Sequence, residues 1–224
     1  MRSEYEREFR KLMTQFGTMD ASLSSQVRIL LSRLGGKWAK RFASAAGDLA
    51  DRFTNSVSGF SKKNLESSLD ELTGVAIKPP TVTGELEERL KAATAYNVSL
   101  IKSIPEQFHD KIQGSVMRSL SGGEGLKGIY DDIVKTGTVT HKRAKFIAED
   151  QTRKLTTAFH TERLKSVGIQ KVRWAEPREV HLRVEGQVFD LDDPPIIDER
   201  TGQRGWGGEV PNCKCTVVPV IEFD

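Results

Sequence analysis

The apolar positions recur at helical spacing through the first two-thirds of the chain and switch to strand-like alternation near its end. Ser3-x-x-Glu6 reads as a capping box, and Tyr5, Phe9, Leu12, Met13 and Phe16 follow on one helical face up to Gly17. A second helix begins near Ser22, with Leu23, Val27, Leu30, Leu31 and Leu34 as its stripe. Gly35-Gly36 is expected to interrupt it before the period resumes at Trp38, Phe42, Ala46, Leu49, Phe53 and Val57. Lys62 to Leu72 reads as a short helix. The segment 74–84 holds Pro79-Pro80 and is the clearest linker. A helix is expected over 85–102. Another starts near Pro105, which suits a first helical turn, and passes through Phe108, Ile112, Val116 and Leu120.

Ser121-Gly-Gly-Glu-Gly125 reads as a loop. It follows a helix and lacks the Lys-Ser/Thr ending of a phosphate-binding loop. A short helix over 126–135 precedes Gly137. Thr140 then caps the longest clear helix, 141–167, which Gly168 stops. On that helix Ala144, Ile147, Ala148, Gln151, Leu155, Ala158 and Phe159 share one face. Lys142, Lys145, Glu149, Arg153, Thr156, His160 and Arg163 share the other, which places His160 in solvent. Phe146 falls off the apolar stripe.

The pattern changes beyond Gly168. Residues 169–174 read as a strand, and 181–190 as a β-hairpin turning on Glu185-Gly186. That register sets Leu182 opposite Phe189 and His181 opposite Asp190. Cys213-Lys214-Cys215-Thr216-Val217-Val218 is β-rich, and alternation puts both sulfurs on one face. The expected fold class is therefore α+β: a mostly helical N-terminal region, then a long helix packed on a small antiparallel sheet of 169–174, 180–184, 187–191 and 214–220. The expected regions are 1–78 and 79–136, both helical, and 137–224.

Composition adds limits. The chain has 224 residues, with 37% hydrophobic and 29% charged, and no apolar run of membrane-spanning length. The first residues lack the apolar core of a signal peptide. Two cysteines do not make a disulfide scaffold, which points to a reducing compartment during folding. The net charge of +3 conceals a polarity. Residues 141–173 hold nine Lys/Arg against three Asp/Glu, and residues 174–224 hold five against eleven. The basic helix either packs beside the acidic tail or offers Lys142, Lys145, Arg153 and Arg163 to DNA or an acidic partner.

The chemistry is concentrated in the last fifty residues. His181 with Cys213 and Cys215, and Asp190 close by, is a donor set that suits a structural zinc, while buried reduced cysteines also serve as ordinary core residues. His181 and Asp190 alone are compatible with a general base and its orienting carboxylate, or with two ligands of a nuclease metal. No second acid–base pair surrounds them.

Together, the basic helix Arg143 to Arg153, Trp174, Arg178-Glu-Val-His181, the Gly186 turn and Pro211-Asn-Cys-Lys-Cys215 resemble the Mu F-like phage head morphogenesis family over about 125–220. Here Ala148-Glu-Asp-Gln151 stands in place of that family's Ala-Arg-Thr-Glu, and Lys214 in place of an arginine. The resemblance implies a minor head protein and no catalytic residues. Its implied partners are the portal protein, the major capsid or scaffold protein, and phage DNA, with no membrane. Its implied places are the capsid interior or portal vertex of the virion, and the host cytoplasm during assembly. A metal-dependent hydrolase and a DNA-binding accessory protein are the alternatives.

Overall fold

The structure, a computed structural model, describes residues 1–15, 21–80, 84–122, 125–175 and 183–221. Four helices come first: α1 (Arg2–Gln15), α2 (Ala21–Thr73), α3 (Glu85–Gly122) and α4 (Gly125–Ser166). Five short strands follow: β1 (Lys171–Ala175), β2 (Val188–Asp190), β3 (Ile196–Asp198), β4 (Gln203–Arg204) and β5 (Thr216–Val220). The α+β class is as expected. The contacts divide the chain into two units, 1–50 with 96–147, and 51–95 with 148–224. The sequential division at 78 and 136 is not this one, because α2, α3 and α4 each contribute to both units.

In the first unit, four helices share one core. Tyr5 and Phe9 of α1, Val27, Leu30, Leu31 and Leu34 of α2, Phe108, Ile112 and Val116 of α3, and Ile133 of α4 are buried together. Tyr5 meets Phe108 edge to face, with ring centroids 5.1 Å apart. Its hydroxyl lies 3.2 Å from Nδ1 of His109.

The helix breaks expected at Gly35-Gly36, before Pro105 and at Gly137 are not taken: α2, α3 and α4 run through them. A helical glycine costs about 1 kcal/mol against alanine. Burial of the flanking stripes offsets that, and two of these glycines have a packing role. A Cβ on Gly35 would stand 2.6 Å from the His109 ring, and one on Gly137 would stand 2.7 Å from Cγ of Arg2. Pro105 forgoes a backbone bond within α3, but the same helix buries Phe108, Ile112 and Val116. The Lys62–Leu72 helix is the last part of α2, not a separate element. The segment expected to be a linker lies inside the second unit and divides no two regions: α2 ends at Thr73, and Gly74, at φ 68°, donates to the Asp70 carbonyl.

In the second unit, Val57 of α2, Leu86 of α3, and Leu155 and Phe159 of α4 form one buried group. Leu65 and Leu69 of α2 and Leu164 of α4 form another with the strands. Gly168 ends α4 as expected. It takes φ 83° and donates to Lys165, while Ile169 donates to Leu164, the paired bonds of a Schellman motif.

The main sheet is antiparallel in the order β2-β1-β5, and β3-β4 is a separate ribbon. The expected strands 169–174, 187–191 and 214–220 appear in shortened form. The 181–190 hairpin needs correction. The Glu185-Gly186 turn exists, with Gly186 at φ 70° and Gln187 donating to the Val184 carbonyl. Arg183 and Val184, however, form a 3-10 turn, and β2 pairs with β1. Phe189 stands opposite Val172 and Asp190 opposite Lys171. The longer strand 171–175 outcompetes a local partner because its alternating residues Val172 and Trp174 reach the core. Leu182 and His181 lie outside the described residues.

Candidate functional site

The motif residues meet in the second unit, where the last turns of α4 pack on the loop 205–215. That loop is held by backbone geometry. Val210-Pro211-Asn212-Cys213 is a closed turn, with the Cys213 amide donating to the Val210 carbonyl at 3.1 Å. Pro211 presets the first φ, and Asn212 supplies the second at +62°. Proline followed by a positive-φ residue is the pattern of a type II turn. Gly208 takes φ 91°, and a Cβ there would meet Thr157 Oγ1 at 2.9 Å. A Cβ on Gly207 would meet the Cys215 backbone at 2.7 Å. Thr157 Oγ1 donates to the Gly207 carbonyl at 2.6 Å and so ties helix to loop.

Cys213 and Cys215 are not joined in a disulfide and are 3% and 4% exposed. They lie in one core group with Val172, Trp174, Leu191, Trp206 and Val217. Cys213 Sγ accepts the Gly208 amide at 3.3 Å. The expected strand begins only at Thr216, so the alternate-face argument does not apply to the two sulfurs. Asp190 is exposed, and its Oδ1 accepts the Asp192 amide at 2.8 Å. His181 lies outside the described residues, so neither its pairing with Asp190 nor its distance from the sulfurs is described. Among the described residues no three His, Cys, Asp or Glu side chains gather as a metal would require.

The polar face expected on α4 is partly an inside face. Thr161, Glu162, Arg163 and Leu164 are four buried residues in succession. A helix covered on several sides has no single apolar stripe to read. Arg163 is 1% exposed and cannot serve as a DNA contact. Its Nη2 donates to Ser58 Oγ at 2.7 Å, its Nε donates to the Pro80 carbonyl at 3.4 Å, and its guanidinium lies 5.9 Å from the Phe159 ring centre. His160, expected in solvent, lies beside the Val217 backbone, and its Nε2 is buried without a hydrogen-bond partner. Burial first, and the Arg163 charge second, hold its pKa below the ordinary histidine value. Lys142 and Lys145 are exposed, in the first unit, and Arg153 belongs to the second.

A charged layer covers the same helix. Asp150 and Gln151, from the segment that departs from the family pattern, are 7% and 5% exposed. Lys154 pairs with Asp150 at 2.8 Å, and Arg89 with Glu162 at 2.9 Å. Burial raises the pKa of Glu209, against the Trp206 amide and the charges of Arg89 and Lys154. Sequence reasoning missed Thr157, Gly207, Gly208 and the Arg163–Ser58 bond. The Gly-Trp-Gly-Gly run was a usable signal for close backbone approach.

These residues, helix to closing turn, fall within the region that comparison with known proteins picks out. An uncharacterized protein of Haemophilus influenzae is 32% identical over 189 residues, which cover 80% of this chain and 40% of that protein. The chain thus spans less than half the length of that relative. No solved structure matches. Residues 110–218, just under half of the chain, match the model of the phage Mu protein F like family.

Proposed function

We propose that the chain is a minor head protein of a phage particle, a structural component in head morphogenesis and not an enzyme. In this reading it associates with the portal vertex on the capsid interior. The portal protein and the major capsid or scaffold protein are its partners, and it meets phage DNA during packaging or ejection. It is assembled in the host cytoplasm and kept in the virion. The observation that carries the reading is the family match over 110–218, which spans all of α4, most of the sheet and the closing turn. No helix among the described residues is long and apolar enough to cross a membrane.

Mass spectrometry of purified particles tests the reading, together with retention of the chain on immobilised portal and major capsid proteins. Expected are a few copies per particle and binding to portal that persists at high salt. Absence from particles, with DNA as the only ligand retained, overturns it. Incubation with duplex DNA and added magnesium or manganese tests the nuclease alternative on His181 and Asp190, and no cleavage is expected.

A further inference from the structure

We propose that the exposed face of α4 in the first unit is a docking surface for an acidic amphipathic helix of a partner protein. The inference stands on the chain's own residues and does not rest on the head-protein reading. Lys135, Val139, Lys142 and Phe146 follow one another at i, i+4, i+7 and i+11, so they form one line along the helix. Both apolar members are exposed, Val139 at 44% and Phe146 at 41%. From Lys135 to Phe146 the sequence holds Lys135, Lys142, Arg143 and Lys145 and no carboxylate.

Beside this line, a groove of ≈ 300 Å³ opens between α3 and α4, with Lys111 and Arg118 on its α3 side. Asp110 and Asp132 also line it, but Asp132 accepts the Ser115 hydroxyl. On α4 the carboxylates flank the line: Asp131 and Asp132 precede it and Glu149 and Asp150 follow it, so from Lys135 to Phe146 the helix carries positive charge alone.

The pattern selects its partner. Eleven steps of α-helix span roughly 17 Å, about three turns of a docked helix. Leucines on such a helix would cover Val139 and Phe146, and flanking glutamates would meet Lys135 and Lys142. Duplex DNA offers phosphates to the lysines but nothing to cover a valine and a phenylalanine in line between them.

The test uses the full chain and three fluorescent probes at 150 mM salt. The first is a 21-residue Glu/Leu peptide with leucines at i, i+3, i+4 and i+7. The second is its isomer with the leucines scattered, and the third is a 21-bp duplex. Expected are micromolar binding of the first peptide and at least tenfold weaker binding of the isomer and the duplex. Phe146→Ser and Lys142→Glu each lower affinity for the first peptide at least fivefold with the circular dichroism spectrum unchanged, while Ile29→Ser leaves it unaltered. Equal binding of the two peptides, tighter binding of the duplex, or indifference to Phe146→Ser overturns the proposal.

Discussion

Gly35 lies against the imidazole of His109: a Cβ built on it would stand 2.6 Å from Cε1 and 2.7 Å from Nδ1. Its neighbour Gly36, one residue on in the same helix, has nothing within 4 Å of the same construction. Two adjacent glycines therefore predict opposite outcomes. Gly36→Ala gains helix propensity and should stabilise the chain by about 0.5–1 kcal/mol. Gly35→Ala forces the His109 ring away from its contact with the Tyr5 hydroxyl, and should destabilise by about 1–3 kcal/mol. Denaturant midpoints of the two variants, taken side by side, check the pair. A stabilised Gly35→Ala would show that the helices separate without cost.

That pair also shows how far the sequence could be read. Stripes such as Val27, Leu30, Leu31 and Leu34 located the core directly, since a period of 3.6 needs no knowledge of the partner. Gly35, Pro105 and Gly137 misled as helix breaks because local cost was visible and tertiary compensation was not. Gly168 was read correctly because no helical stripe continues beyond it. The Glu185-Gly186 turn was legible, while the pairing of β2 with β1 was not: a turn reports on its neighbours, and a long-range register does not. At the site, Cys213 and Cys215 were found, but their surroundings depend on Thr157, fifty residues from Gly207.

Arg163 should behave as a structural residue. Removing the guanidinium in Arg163→Ala takes a charged donor from Ser58 and opens space over Phe159, at a cost of about 2–3 kcal/mol. Arg163→Lys should recover only part of that, since an ammonium does not reproduce the planar fork that reaches Ser58 and Pro80. Heparin chromatography gives the functional contrast. Folded Arg163→Ala should elute at the wild-type salt concentration, whereas Lys142→Glu with Lys145→Glu should elute earlier. Earlier elution of Arg163→Ala would return it to the basic surface.

His160 predicts a pH dependence whose sign follows from its burial. Its folded pKa is lowered, so the unfolded chain takes the proton first as pH falls. Its stabilising contribution is full above the unfolded value of about 6.5 and is lost below it, until the pH passes the folded pKa. His160→Asn keeps a polar side chain beside the Val217 backbone and removes the titration. The stability gap between wild type and variant should therefore narrow from pH 7.5 to pH 5.5 in urea melts. Arg163 is permanently charged and contributes no titration of its own in that window. A gap that stays constant with pH would mean that His160 is as easily protonated folded as unfolded.

The closing turn gives the last prediction, which separates conformation from metal binding. Asn212 holds φ 62°, where a side chain without a local polar group is strained. Asn212→Gly should be close to neutral, and Asn212→Ala should cost about 1 kcal/mol. Cys213 and Cys215 are packed among Trp174, Trp206 and Val217, and the Cys213 sulfur already accepts the Gly208 amide. On that basis Cys213→Ala should lose about 1–2 kcal/mol, the scale of a small buried side chain and one hydrogen bond. Elemental analysis should find no stoichiometric zinc, and a chelator should leave the melting temperature where it was. About one zinc per chain, lost in Cys213→Ser and in His181→Ala alike, would overturn this. It would make His181 a ligand beside the two sulfurs, with the metal, not packing, fixing the turn.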